Sequence, residues 1–420
     1  MHSPTSPDRF ASSRTTHDLR NPGLIVVCGC LIAMISFGPR SALGNFLRPM
    51  SVENGWDREV FALAVALQTL LYGAMQPFAG ALADRFGTLY VILVSVLAYA
   101  LGLFLMAYAD TPGMLYFSNG VLIGFGLSGC SFNLIISSFA KQLPDRWRST
   151  AFGAGTAAGS FGQFLFSPLG VSLIDHFGWR AALEIFAGLL LLILPLAFVV
   201  GTRGMGGPST ASSLAQTQTY RQALAEALAH RSYILLVLGF FTCGFQLGFV
   251  TVHLPAYLVD RGLSAEIGGW TLGVIGFFNI VGAMLSGWLG GRMPKRYILS
   301  SIYFIRALAI VFLITLPPSP VVTLIYGAVT GLLWLSSVPP TSGLVALMFG
   351  TRWLAMLFGI AFFSHQVGGF LGVWLGGLLF DRTGSYDAVW WLGVLFGVIS
   401  AIINLPIVEK PVPRLATAPA

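Results

Sequence analysis

Charge is the scarcest ingredient of this sequence. Only 9% of its 420 residues are Asp, Glu, Lys or Arg, against 55% hydrophobic ones. A soluble domain carries about 25% charged residues. This chain cannot build a water-facing surface from so few, and lipid must cover much of it. Cysteine is scarce as well. Cys28, Cys30, Cys130 and Cys243 all fall inside apolar runs, and Cys28 and Cys30 stand too close together, with no other ligands near, to form a metal site. They read as small buried hydrophobes. No nucleotide-binding loop, metal cluster or catalytic triad is visible. No enzymatic activity and no cofactor are therefore expected, and work done on a solute must draw on a gradient rather than on hydrolysis by this chain. Residues 1–20 are polar, with Arg9, Arg14 and Arg20, and the first apolar run begins near Leu24 without a small-residue cleavage site, so no cleavable signal peptide is expected.

What the chain has in abundance is apolar runs of membrane-spanning length. They fall at 24–50, 60–83, 88–108, 113–140, 149–173 and 179–201, and again at 232–258, 266–290, 297–316, 321–347, 354–378 and 386–407. Each is long enough to cross an apolar layer of roughly 30 Å at about 1.5 Å per residue. The expected fold class is all-α: a polytopic membrane protein of twelve transmembrane helices in two six-helix bundles. The expected organisation is a tail at 1–23, an N-terminal bundle at 24–201, a linker at 202–231, a C-terminal bundle at 232–407 and a tail at 408–420. The linker opens Gly-, Ser- and Thr-rich and ends in Tyr220–His230, which reads as a short amphipathic helix at the interface.

The few charges are unevenly placed. With the N-terminus inside, 16 of the 23 Lys and Arg fall in cytoplasmic segments and 5 in outer ones. The positive-inside rule then puts both termini in the cytoplasm, and the inner (plasma) membrane is the expected location. The net charge of +7 is accounted for by topology and needs no nucleic-acid partner. The two remaining cations, Arg40 and Arg306, lie within spans, and none of the 16 acidic residues lies deep in one. A cation at the bilayer centre costs about 2.5–3.5 kcal/mol on insertion scales. A negatively charged ligand would neutralise it.

The two halves repeat each other. Gly80-Ala-Leu-Ala-Asp84-Arg85-Phe-Gly87 closes the second span, and Gly287-Trp-Leu-Gly-Gly291-Arg292-Met-Pro-Lys295-Arg296 closes the eighth. Phe152-Gly153 and Phe358-Gly359 open the fifth and eleventh, followed by Asp175-His-Phe-Gly178 and Asp381-Arg-Thr-Gly384. The nearly constant offset indicates duplication. A solute site between two such parallel repeats is a known transporter plan.

On these residues the sequence resembles the major facilitator superfamily. Gly80, Leu82, Asp84, Arg85 and Gly87 match its loop between the second and third spans, although Thr88 and Leu89 replace the usual basic pair. In the second copy Arg292, Lys295 and Arg296 remain and Gly291 replaces the acid. The resemblance implies gating and structural roles for Gly80, Asp84, Arg85, Gly87 and Arg292. Within the superfamily the chain looks most like the monocarboxylate transporters and bacterial oxalate–formate exchangers. Arg148-Ser-Thr-Ala-Phe-Gly153, Gly159, Gly162, Pro168 and Gly178-Trp179-Arg180 match that group's fifth span and following loop, and Phe37-Gly38-Pro39-Arg40-Ser41 resembles its first-span segment. That match implies that Arg40 binds the substrate carboxylate. Animal members carry an Asp and an Arg in the eighth span, where this chain has Asn279 and Ala283. Their proton-coupling scheme therefore does not carry over.

The candidate solute site is then built from Arg40, whose guanidinium can hold a carboxylate through two parallel hydrogen bonds, and from Arg306, His253, His365, Asn279, Gln68 and Gln163. Arg40 has a structural alternative, capped by backbone carbonyls or reaching the outer interface, and Arg306 can equally reach the cytoplasmic headgroups. His253 and His365 occupy equivalent places in the seventh and eleventh spans and are the obvious protonatable groups, or else packing histidines. The buried amides line the cavity or bridge helices. Prolines 39, 77, 168, 255, 339 and 340 interrupt spans, where freed carbonyls need partners. The expected function is secondary active transport of a small organic anion, a monocarboxylate, by alternating access, as proton symport or anion exchange, by a monomer. Efflux of a drug or hydrophobic metabolite keeps the fold and changes the solute; a non-transporting receptor changes the class.

Overall fold

In the computed structural model the described residues are 21–131, 134–135, 138–139, 142–202, 220–350 and 353–413, and their regular elements are all helical. The helices are α1 (Pro22–Ala42), α2 (Leu47–Asn54), α3 (Arg58–Phe86), α4 (Thr88–Ala107), α5 (Pro112–Leu115), α6 (Gly124–Gly129), α7 (Asp145–Leu191), α8 (Ile193–Val200), α9 (Tyr220–Ala229), α10 (Arg231–Asp260), α11 (Ala265–Gly290), α12 (Lys295–Thr315), α13 (Pro320–Leu333), α14 (Val338–Phe349), α15 (Leu354–Thr383) and α16 (Asp387–Asn404). Ten candidate spans among the described residues are long and apolar enough to cross a membrane. Large apolar side chains such as Phe78, Val94, Met284 and Ile402 lie exposed along them, as a lipid-facing surface requires.

Where the apolar runs and the helices part company, local chemistry explains it. The 48-residue Gly153–Val200 stretch is about 72 Å of helix, more than twice the apolar layer. Gly178, at φ 81° and ψ 160°, breaks it, so the fifth run extends to Phe177 rather than ending at 173. The fourth run is divided by a π-helical stretch, Tyr116–Ile123. The first run bends through a 3-10 turn, Leu43–Phe46, where Gly44 lies against the backbone of Thr251 and Val252. The tenth run, expected unbroken over 321–347, stops at Leu333 and resumes at Val338. Pro339 and Pro340 cannot donate to the preceding turn, and side chains take over: Leu335 N donates to Asn279 Oδ1 at 3.0 Å, and Ser286 Oγ donates to the Ser336 carbonyl. The short helix expected over Tyr220–His230 forms over Tyr220–Ala229, with Ala223 and Ala227 buried. The Gly- and Ser-rich part of the linker, 203–219, lies outside the described residues.

Burial separates two apolar cores. One draws almost wholly on Ile25–Val200, the other on Ala227–Val412. They meet along two helix pairs, α3 with α15 and α7 with α11. Small residues set the approach. A Cβ on Gly276 of α11 would come within 2.7 Å of the Ser160 carbonyl of α7, and one on Gly73 of α3 within 2.5 Å of the Gln366 side chain of α15. Close backbone approach of this kind substitutes for hydrophobic drive between helices in lipid.

Among the described residues the seam is closed at one end only. We call the face carrying Arg58, Asp260 and Tyr386 distal, and the opposite one, carrying Thr88, Thr202 and Glu409, proximal. Seven residues proximal to Gly73 on the same face of α3, Gly80 has no packing neighbour among the described residues within 4 Å of its Cβ position; seven proximal to Gln366 on α15, neither does Gly359. On the second pair, Gly153 of α7 and Gly287 of α11 are likewise unopposed, although Gly276 is packed. The halves touch distally and splay proximally.

Candidate solute site and distal lock

The distal contact is a network of charges. Arg58, the first residue of α3, holds Asp260 at the end of α10 through two hydrogen bonds, Nη1 to Oδ2 at 2.5 Å and Nη2 to Oδ1 at 2.8 Å. Its guanidinium carbon sits 3.8 Å over the Phe380 ring. Asp381 of α15 accepts from the backbone N–H of Arg58 at 3.1 Å and of Glu59 at 2.6 Å. It therefore caps α3 from the other half, an anion placed against the positive end of a helix. Trp374 Nε1 donates to Glu59 at 3.0 Å. Arg58 Nη1 also donates to the Tyr386 hydroxyl at 2.8 Å. That hydroxyl faces His253 Nδ1 at 3.2 Å, and His253 Nε2 faces the Val373 carbonyl at 2.7 Å. The carbonyl can only accept, so Nε2 carries the hydrogen and Nδ1 accepts from Tyr386. His253 thus supports the lock; it does not lie with Arg40.

Arg40 lies near the middle of the Pro22–Asn54 span and is half-buried. Its guanidinium carbon stands 4.7 Å over the ring of Tyr72. Among the described residues no carboxylate pairs with it. Tyr72 meets Phe362 of the other half edge to face, with centroids 6.3 Å apart at 80°. Phe362 stacks on His365 at 5.7 Å and 4°, and Phe240 backs the imidazole at 5.0 Å. Tyr72, Phe362 and His365 are all half-buried. A column of rings thus runs from the Arg40 guanidinium across the seam, at the level where the proximal opening begins.

Polar side chains tie the column to its surroundings. His365 Nδ1 faces Gln366 Oε1 at 2.9 Å, and Gln366 Nε2 donates across the seam to the Thr69 carbonyl at 3.1 Å. Because the amide nitrogen is committed to Thr69, the imidazole donates at Nδ1. Gln163 Nε2 donates across the other pair to the Leu272 carbonyl at 3.2 Å, and Asn279 Nδ2 to Ser160 Oγ at 2.8 Å. Gln68 is fully buried, and both its side-chain polar atoms lack a partner among the described residues. Arg306 does not reach the headgroups. It is 3% exposed; Nη1 donates to Cys243 Sγ at 3.2 Å, and Nη2 donates to the Leu333 and Trp334 carbonyls freed by the break between α13 and α14. Of the two arginines within the spans, Arg40 is thus the one left for a solute among the described residues. Of the loop-motif residues, Gly87 turns the chain from α3 to α4 at φ 92° and ψ 152°, a conformation open essentially to glycine, and Arg292 stacks on Trp288 at 3.9 Å. Asp84 and Arg85 side chains lie outside the described set.

Sequence reasoning passed over Tyr72, Phe362 and the lock residues Arg58, Asp260 and Asp381. The first had a signal: Gln68, Tyr72 and Gln76 recur at four-residue spacing, a polar stripe on one helix face. Phe362 has none beyond its place three residues before His365. The lock residues stand in what the sequence shows only as outer connections.

Known proteins bear on the fold and on the chemistry differently. The pattern described as Major Facilitator Superfamily matches residues 29–373. The uncharacterised MFS-type transporter YcxA of Bacillus subtilis (strain 168) is 28% identical over 391 residues, covering 90% of this chain and 93% of its own length. Monocarboxylate transporter 13 of Bos taurus is 27% identical, covering 87% of this chain and 84% of its own. Among solved structures, a bacterial homologue of the human lysosomal transporter Spinster, captured inward-facing and occupied, superposes with a TM-score of 0.71 at 15% identity, over 91% of this chain and 96% of its own. A D-xylose–proton symporter gives 0.69 at 13%, over 92% and 98%. With the family pattern running from α1 into α15 and the fold shared with solved members, the chain belongs to the Major Facilitator Superfamily, a family of membrane transporters rather than enzymes.

Proposed function

We propose that the protein is a secondary active transporter that carries a small organic anion, a monocarboxylate, across the inner membrane by alternating access. One observation carries the reading: Arg40 places a guanidinium within a membrane span, half-buried, over an aromatic ring and without a carboxylate partner among the described residues. A charge there is costly unless paired, and a carboxylate offers the bidentate geometry it lacks. The likeness to proteins named monocarboxylate transporters agrees with this.

In this reading the chain crosses the membrane twelve times as two six-helix bundles, 24–201 and 232–407, joined by the 202–231 linker. Gly178 divides the Gly153–Val200 stretch into two passes, and the run from Pro112 supplies another. Both termini are cytoplasmic, as the charge pattern indicates, so the splayed proximal face opens inward. The protein works as a monomer. Either a proton accompanies the anion, carried by His365 or by the substrate, or a second anion returns in exchange. Asp84, Arg85 and Arg292 act when the proximal face closes.

Purified protein in proteoliposomes, given an inward proton gradient or preloaded anion, is expected to accumulate labelled monocarboxylate. Arg40→Gln is expected to lower uptake at least about a hundredfold, since losing a buried charge partner costs about 3 kcal/mol or more. Uptake that survives Arg40→Gln, or a carboxylate panel of which nothing moves, would defeat the proposal.

A further inference from the structure

The proposed function leaves open which monocarboxylate the site prefers, and the surroundings of Arg40 bear on that. We propose that the preferred substrate is a monocarboxylate with an aromatic tail lacking hydroxyl groups, rather than a short hydroxy or keto acid or a dicarboxylate. The inference rests on the transporter reading above and deepens it.

Three observations carry it. The first is the count of available cations. Arg306, the other guanidinium inside the spans, is 3% exposed and committed to Cys243 and the carbonyls of Leu333 and Trp334. Among the described residues a second carboxylate on the solute would find no partner equivalent to Arg40, and an unpaired anion inside the spans is strongly disfavoured.

The second is the wall. Tyr72 carries the guanidinium on one ring face at 4.7 Å and packs edge to face with Phe362, their centroids 6.3 Å apart. Phe362 lies parallel to His365, and all three side chains are half-buried where the seam begins to open. Ring faces and edges presented together favour an aromatic guest, which can stack on one ring and meet the edge of another. A methyl group can do neither.

The third is the state of the nearby polar groups. Gln366 uses its amide nitrogen on the Thr69 carbonyl and its oxygen on His365; Gln163 donates to the Leu272 carbonyl; Asn279 uses both ends, on Ser160 and on Leu335. These amides bridge helices. The one nearby amide without a partner among the described residues, Gln68, is fully buried and closed to a solute, so a hydroxyl on the tail would have to break one of those bridges or go without a partner.

The test is counterflow and uptake in proteoliposomes with phenylacetate, mandelate, acetate, lactate, decanoate and succinate as labelled probes. Phenylacetate is expected to half-saturate at a concentration about tenfold or more below acetate, and below mandelate, which adds only a hydroxyl. Phe362→Leu is expected to raise the half-saturating phenylacetate concentration about threefold to tenfold relative to that of acetate, the equivalent of one lost ring pairing. Acetate or lactate outperforming phenylacetate would overturn the inference while leaving the monocarboxylate reading intact. Mandelate equal to phenylacetate would overturn the claim about hydroxyls, decanoate outperforming phenylacetate the claim about rings, and succinate moving equally well the claim about a single cation. If no carboxylate moves, the underlying reading fails as well.

Discussion

Neutralising Asp260 should open the distal face, and the size of the effect follows from how the lock is built. Asp260→Asn keeps the side chain's shape and one acceptor but removes the charge that Arg58 faces. The two side chains are 14% and 27% exposed, for Arg58 and Asp260, and their bidentate contact joins the two halves at the closed end of the seam. A hydrogen bond to a charged group contributes about 1.5–3 kcal/mol. Partial solvent exposure screens the pair, so the closed arrangement should lose about 2 kcal/mol, close to thirtyfold in the ratio of open to closed molecules. The measurement is a distance distribution between spin labels at Val52, 75% exposed in one half, and Ser264, exposed at the start of α11 in the other. The native cysteines Cys28, Cys30, Cys130 and Cys243 are replaced beforehand. Asp260→Asn should enlarge the long-distance population about thirtyfold relative to the short one. Arg261→Gln, which removes a charge lying over Tyr257 within a single half, should leave it unchanged. An unaltered distribution in Asp260→Asn, with the melting temperature preserved, would show that the charge network does not hold the distal face shut.

Two further substitutions test other parts of the architecture. Arg306→Met orphans the carbonyls of Leu333 and Trp334 at the break between α13 and α14, so the protein in detergent should lose about 1–3 kcal/mol of stability for each carbonyl left unpaired; unchanged thermal unfolding would mean that the break is satisfied by other groups. Gly276→Leu drives a side chain into the Ser160 carbonyl and Phe164 across the second helix pair and should abolish transport while the Val52–Ser264 distance lengthens; normal transport would show that the α7–α11 contact is dispensable.

The sequence discloses the solvent of this protein more readily than its seams. Apolar runs of membrane-spanning length, the repeated punctuation around Gly80 and Gly287, and the unpartnered Arg40 are all legible because each rests on one residue's own chemistry or on spacing along one helix. Arg306 shows the limit. As a sequence feature it is one more buried cation, and only the break before Pro339 reveals the carbonyls that occupy it. Asn279 likewise reads as a cavity amide, yet it joins Ser160 of one half to the Leu335 N–H of a broken helix in the other. The Arg58, Asp260 and Asp381 network was hidden for the same reason. Its members stand 121 to 323 residues apart, and nothing in any local window connects them.

The lock and the solute site are joined by two stiff helices, and in the transport cycle proposed above that linkage couples one to the other. On α3, Arg58 and Tyr72 are fourteen residues apart, about 21 Å of helix, and the helix's only proline, Pro77, lies beyond Tyr72 on the proximal side. On α15, Phe362 and Asp381 are nineteen residues apart, about 28 Å, with no proline between them. A tilt of α3 against α15 that parts Arg58 from Asp260 and Asp381 therefore alters the contact of Tyr72 with Phe362 in the same motion, and swings Gly80 and Gly359, now unopposed, toward one another. Glycine at both positions lets the backbones close without side chains intervening. In that proposed cycle an anion bound at Arg40 would enter this balance directly. It removes the charge that penalises enclosing Arg40 between the two halves, so the loaded site can be sealed on the proximal side at a lower cost than the empty one. The distal charge network supplies the opposing term, because its hydrogen bonds must be given up before the solute can leave outward. A carrier arranged in this way turns over only when the gain from pairing Arg40 and the cost of breaking the lock are of similar size, and this is why the effect expected for Asp260→Asn is a shift in population and not a loss of fold.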